Sequence, residues 1–233
     1  MRYCVNIGPV GENETVLFGQ ERGCAEFEQR LLRFGAPSAE RVTPGDDEVL
    51  YVLSGTGRAT IGGDAADLTA GTAAYVASGT PWHVDEANDL RLLSVLVRDP
   101  LPAGATTHAV VDLAEVEVAG STAGRQFRLL ATPAVGCASV TQFLGYIPVG
   151  RAPDHFHTYD EVVYVLSGEG TLHVGGETAP LRPGSAVHLP ARLVHCLENT
   201  GPQEMQVLGV FRPAGSPAEA YYPDGTPAVA AAG

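Results

Sequence analysis

Short apolar runs rich in β-branched residues recur along the chain, with Gly and Pro between them at intervals of about ten residues. Val49–Leu53, Ala73–Val76 and Leu92–Val97 are such runs in the first half, and Val162–Leu166 is one in the second. That spacing predicts the strands of a sandwich or barrel. Gly62-Gly63 and Gly175-Gly176 each fall between two runs, where a hairpin turn is expected. No segment keeps a long 3.6-residue period. Glu21–Phe34 on its own has the look of a helix, but its counterpart Ala134–Ile147 does not. Both are read as strand, because duplicated halves fold alike.

The duplication is explicit. Glu48-Val-Leu-Tyr-Val-Leu-Ser-Gly-Thr-Gly57 recurs as Glu161-Val-Val-Tyr-Val-Leu-Ser-Gly-Glu-Gly170, at an offset of 113. At that offset Gly23-Cys24-Ala25 meets Gly136-Cys137-Ala138, and Gly71 meets Gly184. Without a gap, 23 of the 76 positions in 11–86 match 124–199, where chance gives roughly a quarter of that number. Near the end of each half Leu96-Val97-Arg98 meets Val210-Phe211-Arg212 at offset 114, which implies one inserted residue. The expected organisation is all-β, with one barrel in 1–112, a second in 113–233, and Asp99–Gly104 as the connection.

Composition narrows the partners. The chain has 233 residues and a net charge of −13. Such a surface repels phosphate backbones and anionic lipid, so neither nucleic acid nor a membrane surface is an expected partner. A small-molecule substrate is expected, an anionic one included where a buried cation reverses the local field. Cys4, Cys24, Cys137 and Cys196 are too widely spaced to suggest a disulfide framework or a zinc ribbon. The opening MRYCVNIGPV lacks the basic and apolar pattern of a signal peptide. The uncharged stretch Leu129–Gly150 is interrupted by Pro133, Gly136, Gln142 and Pro148, so it reads as strands and turns. The cytoplasm is the expected compartment.

The chemistry concentrates in the second half. His155-Phe-His157 is followed by Glu161 and Gly168, and later by Gly184, Pro190, His195 and Asn199. Residues two apart on a strand share a face, so His155 and His157 aim the same way. Glu161 can join them across a turn, and His195 from a strand paired nearby. Three imidazoles and one carboxylate suit one divalent transition ion (Fe, Mn, Ni, Co, Zn or Cu) and leave up to two octahedral positions open.

These segments resemble the two motifs of the cupin superfamily, G(X)5HXH(X)3–4E(X)6G and G(X)5PXG(X)2H(X)3N. Here four rather than five residues precede His155, and Arg192 stands where the second motif has Gly. The resemblance spans both halves and implies a bicupin, two tandem jelly-roll barrels. It implies one metal, held by His155, His157, Glu161 and His195. In the first half Val42, Pro44 and Trp82 fall at the histidine positions, Glu48 alone is kept, and His83 is one residue out of register. That barrel is therefore expected to be structural, the rival reading being that Trp82 lines a non-metal cavity. The resemblance further implies a dioxygenase-type oxidoreductase acting on a small oxygen-rich or aromatic compound, with Glu161 as base. The alternatives are an isomerase or lyase on a sugar- or keto-acid-like substrate, or a non-catalytic binder. Monomer and homodimer both stay open.

The neighbours carry weaker expectations. Asp154, Tyr159 and Asp160 are candidates to orient the imidazoles. Gln142, Leu144 and Tyr146 alternate along one strand as candidate pocket wall. Arg192 is expected to alter its turn or reach over the pocket mouth. His173 is expected at the solvent face, His188 in the pocket wall or packed in its strand, and Cys196 pointing away from the metal. Cys24 and Cys137 are expected to be small core residues.

Overall fold

The computed structural model describes residues 2–6 and 13–228. The first strands are β1 (Cys4–Asn6), β2 (Glu14–Phe18), β3 (Phe27–Phe34), β4 (Asp46–Ile61), β5 (Asp64–Thr69), β6 (Thr72–Val76), β7 (Trp82–Arg98) and β8 (His108–Asp112). They are followed by β9 (Ala119–Gly120), β10 (Gln126–Ala131), β11 (Thr141–Ile147), β12 (Asp160–Ser167) and β13 (Gly170–Val174). The last are β14 (Glu177–Leu181), β15 (Ser185–Leu189), β16 (His195–Asn199) and β17 (Met205–Arg212). Among the described residues no helix is long and apolar enough to cross a membrane.

The contacts gather these strands into two compact units. One comprises Val10–Val116 and Leu130–Val140; the other comprises Met1–Pro9, Glu117–Leu129 and Thr141–Gly233. They are called below the N-terminal and C-terminal barrels. The units interleave across the repeat boundary near residue 112. In particular, β1 pairs antiparallel with β15, setting Cys4 opposite Val187.

In the N-terminal barrel one sheet runs β2-β3-β7-β4-β6-β8, with β5 on β4. Two long strands dominate it, since β4 pairs with β7 from Asp46↔Arg98 to Ile61↔Trp82. Register shifts on both sides of Ser54 bend that pair, next to Gly55 at φ +79°. In the C-terminal barrel the corresponding runs are cut in two. β12 and β13 are divided at Gly168, φ +85°, and β16 and β17 are separate strands. The result is a seven-stranded sheet, β1-β15-β12-β17-β11-β10-β9, and a three-stranded sheet, β14-β13-β16. Both units are jelly rolls. Each contains the expected hairpin, and both glycines of each two-residue turn have positive φ, 60° and 96° at Gly62-Gly63 and 57° and 80° at Gly175-Gly176. Glycine adopts that pair of conformations without the steric cost a side chain would bring.

Two sequence expectations need correction. Glu21–Phe34 and Ala134–Ile147 are not strand throughout. The regions open on 3-10 turns, Gln20–Arg22 and Pro133–Val135, which Gly23 and Gly136 end in the left-handed conformation. Strand begins only at Phe27 and Thr141. The late offset is also not 114. Glu48 lies opposite Leu96 and Glu161 opposite Phe211, so β7 and β17 correspond at offset 115. Ser94 therefore corresponds to Gly209, and Arg30 to Phe143, because Arg30 faces Ser94 and Phe143 faces Gly209 across the neighbouring strand pair.

Leu50, Val52, Ile61, Trp82, Leu90 and Leu92 centre the N-terminal core. In the C-terminal barrel one cluster forms around Val163, Val165, Leu172 and Met205. A second, of Phe127, Phe143, Tyr159 and Phe211, lies next to the candidate site. Burial of each such side chain contributes about 1.5–3 kcal/mol. All four cysteines are buried thiols, as expected for Cys24 and Cys137.

Candidate metal centre

A backbone bridge builds the centre. His155 and His195 face each other antiparallel, with N–H···O bonds of 3.0 and 2.8 Å. His157 follows two residues after His155, and the three rings lie 4.8–5.2 Å apart, centroid to centroid. One ligand atom from each lies within 4.8 Å of the other two. The Nδ1 atoms are all engaged by backbone carbonyls, His155 with Pro153 (3.0 Å), His157 with Glu219 (2.7 Å) and His195 with Leu193 (2.8 Å). A carbonyl can only accept, so each Nδ1 carries the proton and each Nε2 keeps its lone pair. Burial lowers the pKa of all three, that of His157 to about 3, helped by repulsion from neighbouring rings at His157 and His195 and from the Arg125 charge at His155. They stand as neutral, tautomer-fixed imidazoles, candidates to hold a metal ion.

Glu161 shares their cavity and is 4% exposed. Its carboxylate stands outside the imidazole triangle. A methyl built on Gly209 would collide with the Phe143 ring and meet Glu161 Oε1 at 2.9 Å, so only glycine leaves room there. Among the described residues the Glu161 carboxylate has no hydrogen-bond partner. Burial pushes its pKa up to about 8, against the pull of the Arg125 charge. Three free Nε2 atoms beside one uncompensated carboxylate form a donor set that fits a divalent transition ion.

The cavity has a volume of about 70 Å³, room for several waters. Arg125, Phe127, Phe143, Gly145, Tyr146 and Ile147 are among its lining residues. The proposed wall of Gln142, Leu144 and Tyr146 is thus mostly out of phase. Phe143, Gly145 and Ile147 face in, while Gln142 and Leu144 are buried but absent from the lining. Tyr159 does pack on one of the candidate imidazoles, stacking on His157 at 4.6 Å and on Phe211 at 4.0 Å. Asp154 and Asp160 do not, being paired with Arg151 and His188. His188 is therefore a packed strand residue. His173 is half-buried against Glu198 (2.6 Å) rather than simply solvated. The Cys196 thiol donates to Ala152 O, away from the triad. Arg192 adopts φ +65°, keeping the turn that glycine usually makes, and its N–H donates to His157 O at 2.7 Å. Its side chain is exposed and does not line the cavity.

Sequence reasoning missed two contributors. Arg125 lies at the end of the Thr122–Gly124 turn, far from either motif. Pro217 and Ala220 line the cavity from the C-terminal segment, where Glu219 supplies the His157 acceptor. Nothing in the spacing of these residues marked them.

The N-terminal barrel fills the equivalent place differently. Arg30 pairs with Glu48 at 3.0 Å, Ser94 donates to the same Glu48 oxygen, and Trp82 Nε1 donates to the other at 3.0 Å. Arg30 also reaches Glu14 at 2.8 Å. The void that Trp82 does line measures about 10 Å³, at the limit for a single water. His83 is half-buried and pairs with Asp85 at 3.0 Å.

A family profile described as the cupin domain matches residues 32–96 and 143–211. Polyketide synthase CurC of Streptomyces cyaneus is 33% identical over 103 residues, 42% of this chain and 66% of that protein. L-ectoine synthase of Aliivibrio fischeri is 38% identical over 72 residues, 30% of this chain and 56% of that one. The chain thus spans less than two thirds of the length of either relative. A deletion mutant of Bacillus subtilis oxalate decarboxylase OxdC superposes with a TM-score of 0.72 at 15% identity, over 92% of this chain and 78% of that one.

Proposed function

The chain belongs to the cupin family, and on that premise we propose that its C-terminal barrel is a metal-dependent enzyme site acting on a small oxygen-rich compound, as an oxidoreductase of the dioxygenase type. The observation that carries the reading is the pairing of three tautomer-fixed imidazoles with an uncompensated buried carboxylate. His155, His157 and His195 would hold the ion, with Glu161 as fourth ligand or adjacent base. A divalent transition metal there supplies Lewis acidity toward substrate oxygens and, for an iron-type ion, a place for O2.

The chain's own residues supply the rest. Glu161, with its pKa near 8 in the metal-free site, is suited to take a proton from a substrate hydroxyl near neutral pH. Phe127, Phe143 and Phe211 form the apolar cluster beside it and exclude bulk water. The volume of about 70 Å³ favours a compound of few heavy atoms over an aromatic ring system. A second reading, non-oxidative lyase or isomerase chemistry, has support of its own. Two of the proteins named above are a decarboxylase and a synthase.

One experiment separates these readings. The protein is loaded anaerobically with Fe(II), Mn(II), Ni(II) or Co(II). Each form is then screened against β-diketones, hydroxy acids, keto acids and keto sugars, with oxygen uptake and substrate loss followed separately. Loss coupled to oxygen uptake is the expected result. Loss without uptake moves the assignment to lyase or isomerase. Binding without turnover in every metal form overturns the enzyme reading.

A further inference from the structure

Arg125 is a cation in the wall of the cavity that the candidate ligands His155, His157, Glu161 and His195 also line. Its backbone is pinned by Arg125 N–H to Thr122 O (3.1 Å) and by Ser121 N–H to Arg125 O (2.8 Å). The side chain is half-buried, and one Nη donates to Leu197 O at 2.9 Å on β16. A guanidinium has five N–H donors, so this bond leaves most of the fork unused. The Cys196 sulfur is a further side-chain partner of the guanidinium, its own proton being given to Ala152 O, and Glu161 acts on it by charge alone. The contrast with Arg30 is direct, since Arg30 is answered by Glu48 at 3.0 Å and Glu14 at 2.8 Å.

Charge arithmetic points the same way. With three neutral imidazoles, an ionised Glu161, Arg125 and a divalent ion, the cavity carries a net charge of about +2 in low-dielectric surroundings. An anionic occupant lowers that charge, and the planar fork of arginine matches a carboxylate in shape and donor spacing. The volume of about 70 Å³ makes such an occupant short.

We infer that Arg125 anchors the carboxylate of the substrate, and that the C-terminal barrel takes a small carboxylate bearing a second oxygen on the adjacent carbon. The second oxygen faces the metal, and that half of the inference rests on the function proposed above. Arg125 thereby sets specificity for anions over neutral isosteres.

The probes are glycolate and its neutral counterpart glycolamide, titrated calorimetrically into the metal-loaded full chain. The proteins are the parent, Arg125→Lys and Arg125→Gln. The parent binds glycolate at least tenfold more tightly than glycolamide. Arg125→Gln weakens glycolate about thirtyfold or more and leaves glycolamide within threefold. Arg125→Lys falls between, because it keeps the charge and loses the fork. Elemental analysis shows one metal per chain in all three, which separates anchoring from damage to the metal site. Arg125→Gln binding glycolate within threefold of the parent overturns the inference, as does equal loss of both probes in both variants. Should the parent take up no metal, the proposed function fails on its own. Glycolate is then titrated into the metal-free chains, where weaker binding in Arg125→Gln upholds the anchor and equal binding removes it.

Discussion

Glu48 and Glu161 occupy the same position in two copies of one barrel, and their surroundings are opposite. Around Glu48 stand Arg30, Ser94 and Trp82, all bonded to it. Around Glu161 the corresponding places hold Phe143, Gly209 and His195. A buried carboxylate needs a positive partner, because removal from water costs several kcal/mol. The N-terminal barrel has that partner in its own chain. The C-terminal barrel lacks one bonded to the carboxylate, and offers three lone pairs beside it. A retained motif residue is therefore not a retained site; what neutralises it decides its role.

The most direct way to break this comparison is to remove a ligand. His195→Ala is expected to weaken metal binding at least 100-fold, while Glu48→Gln leaves one ion per chain, both read by elemental analysis after dialysis. Equal loss in the two variants would erase the distinction. On stability, an effect of about 3–5 kcal/mol is expected for Arg30→Met, which leaves Glu48 buried without its cation. Urea denaturation of the metal-free protein measures it, and a loss below about 1 kcal/mol would show that Glu48 needs no such partner.

Glu161→Gln should act in the opposite direction. The folded-state pKa of Glu161 is raised from 4.5 to about 8. Below about pH 4 the carboxyl is protonated in both folded and unfolded chains. As pH rises from 4.5 to 8 the unfolded chain ionises and the folded chain does not, so stability is lost across that window. Glutamine removes the loss. Metal-free Glu161→Gln is expected to be about 4–5 kcal/mol more stable than the parent at pH 8.5 and equal to it at pH 4. A variant destabilised at both pH values would contradict the assignment. The smallest effect concerns the C-terminal segment, where Thr158 Oγ1 donates to the Glu219 carboxylate at 3.2 Å. Thr158→Val loosens the acceptor of His157 and should weaken metal binding by less than about tenfold, measured by competition with a chelator.

The imidazoles and Glu161 were legible because they lie in two short stretches whose strand spacing dictates a shared face. The hairpins were legible because paired glycines meet a backbone requirement. Arg125 and Glu219 were not. Each reaches the site by tertiary packing, Glu219 from 62 positions beyond His157. The phase of β11 was misread because polarity suggested that Gln142 faces the cavity. It is instead fully buried on the other face, with no hydrogen-bond partner for its side chain. The partners of Glu48 were hidden for a related reason, since Arg30 and Ser94 are unremarkable until the register sets them side by side.

The pairing of β1 with β15 has a consequence in time. Asn6 and Ser185 are hydrogen-bonded across 179 residues of chain. A ribosome adding 5–20 residues per second takes roughly ten to forty seconds to make that interval. The barrel with the candidate metal centre is therefore closed at one edge by a segment synthesised 179 residues before its partner. Throughout elongation β1 has no native partner, and when β15 emerges its outer edge is open to any strand until β1 docks. The centre is assembled late, as a product of the whole chain rather than of its second half.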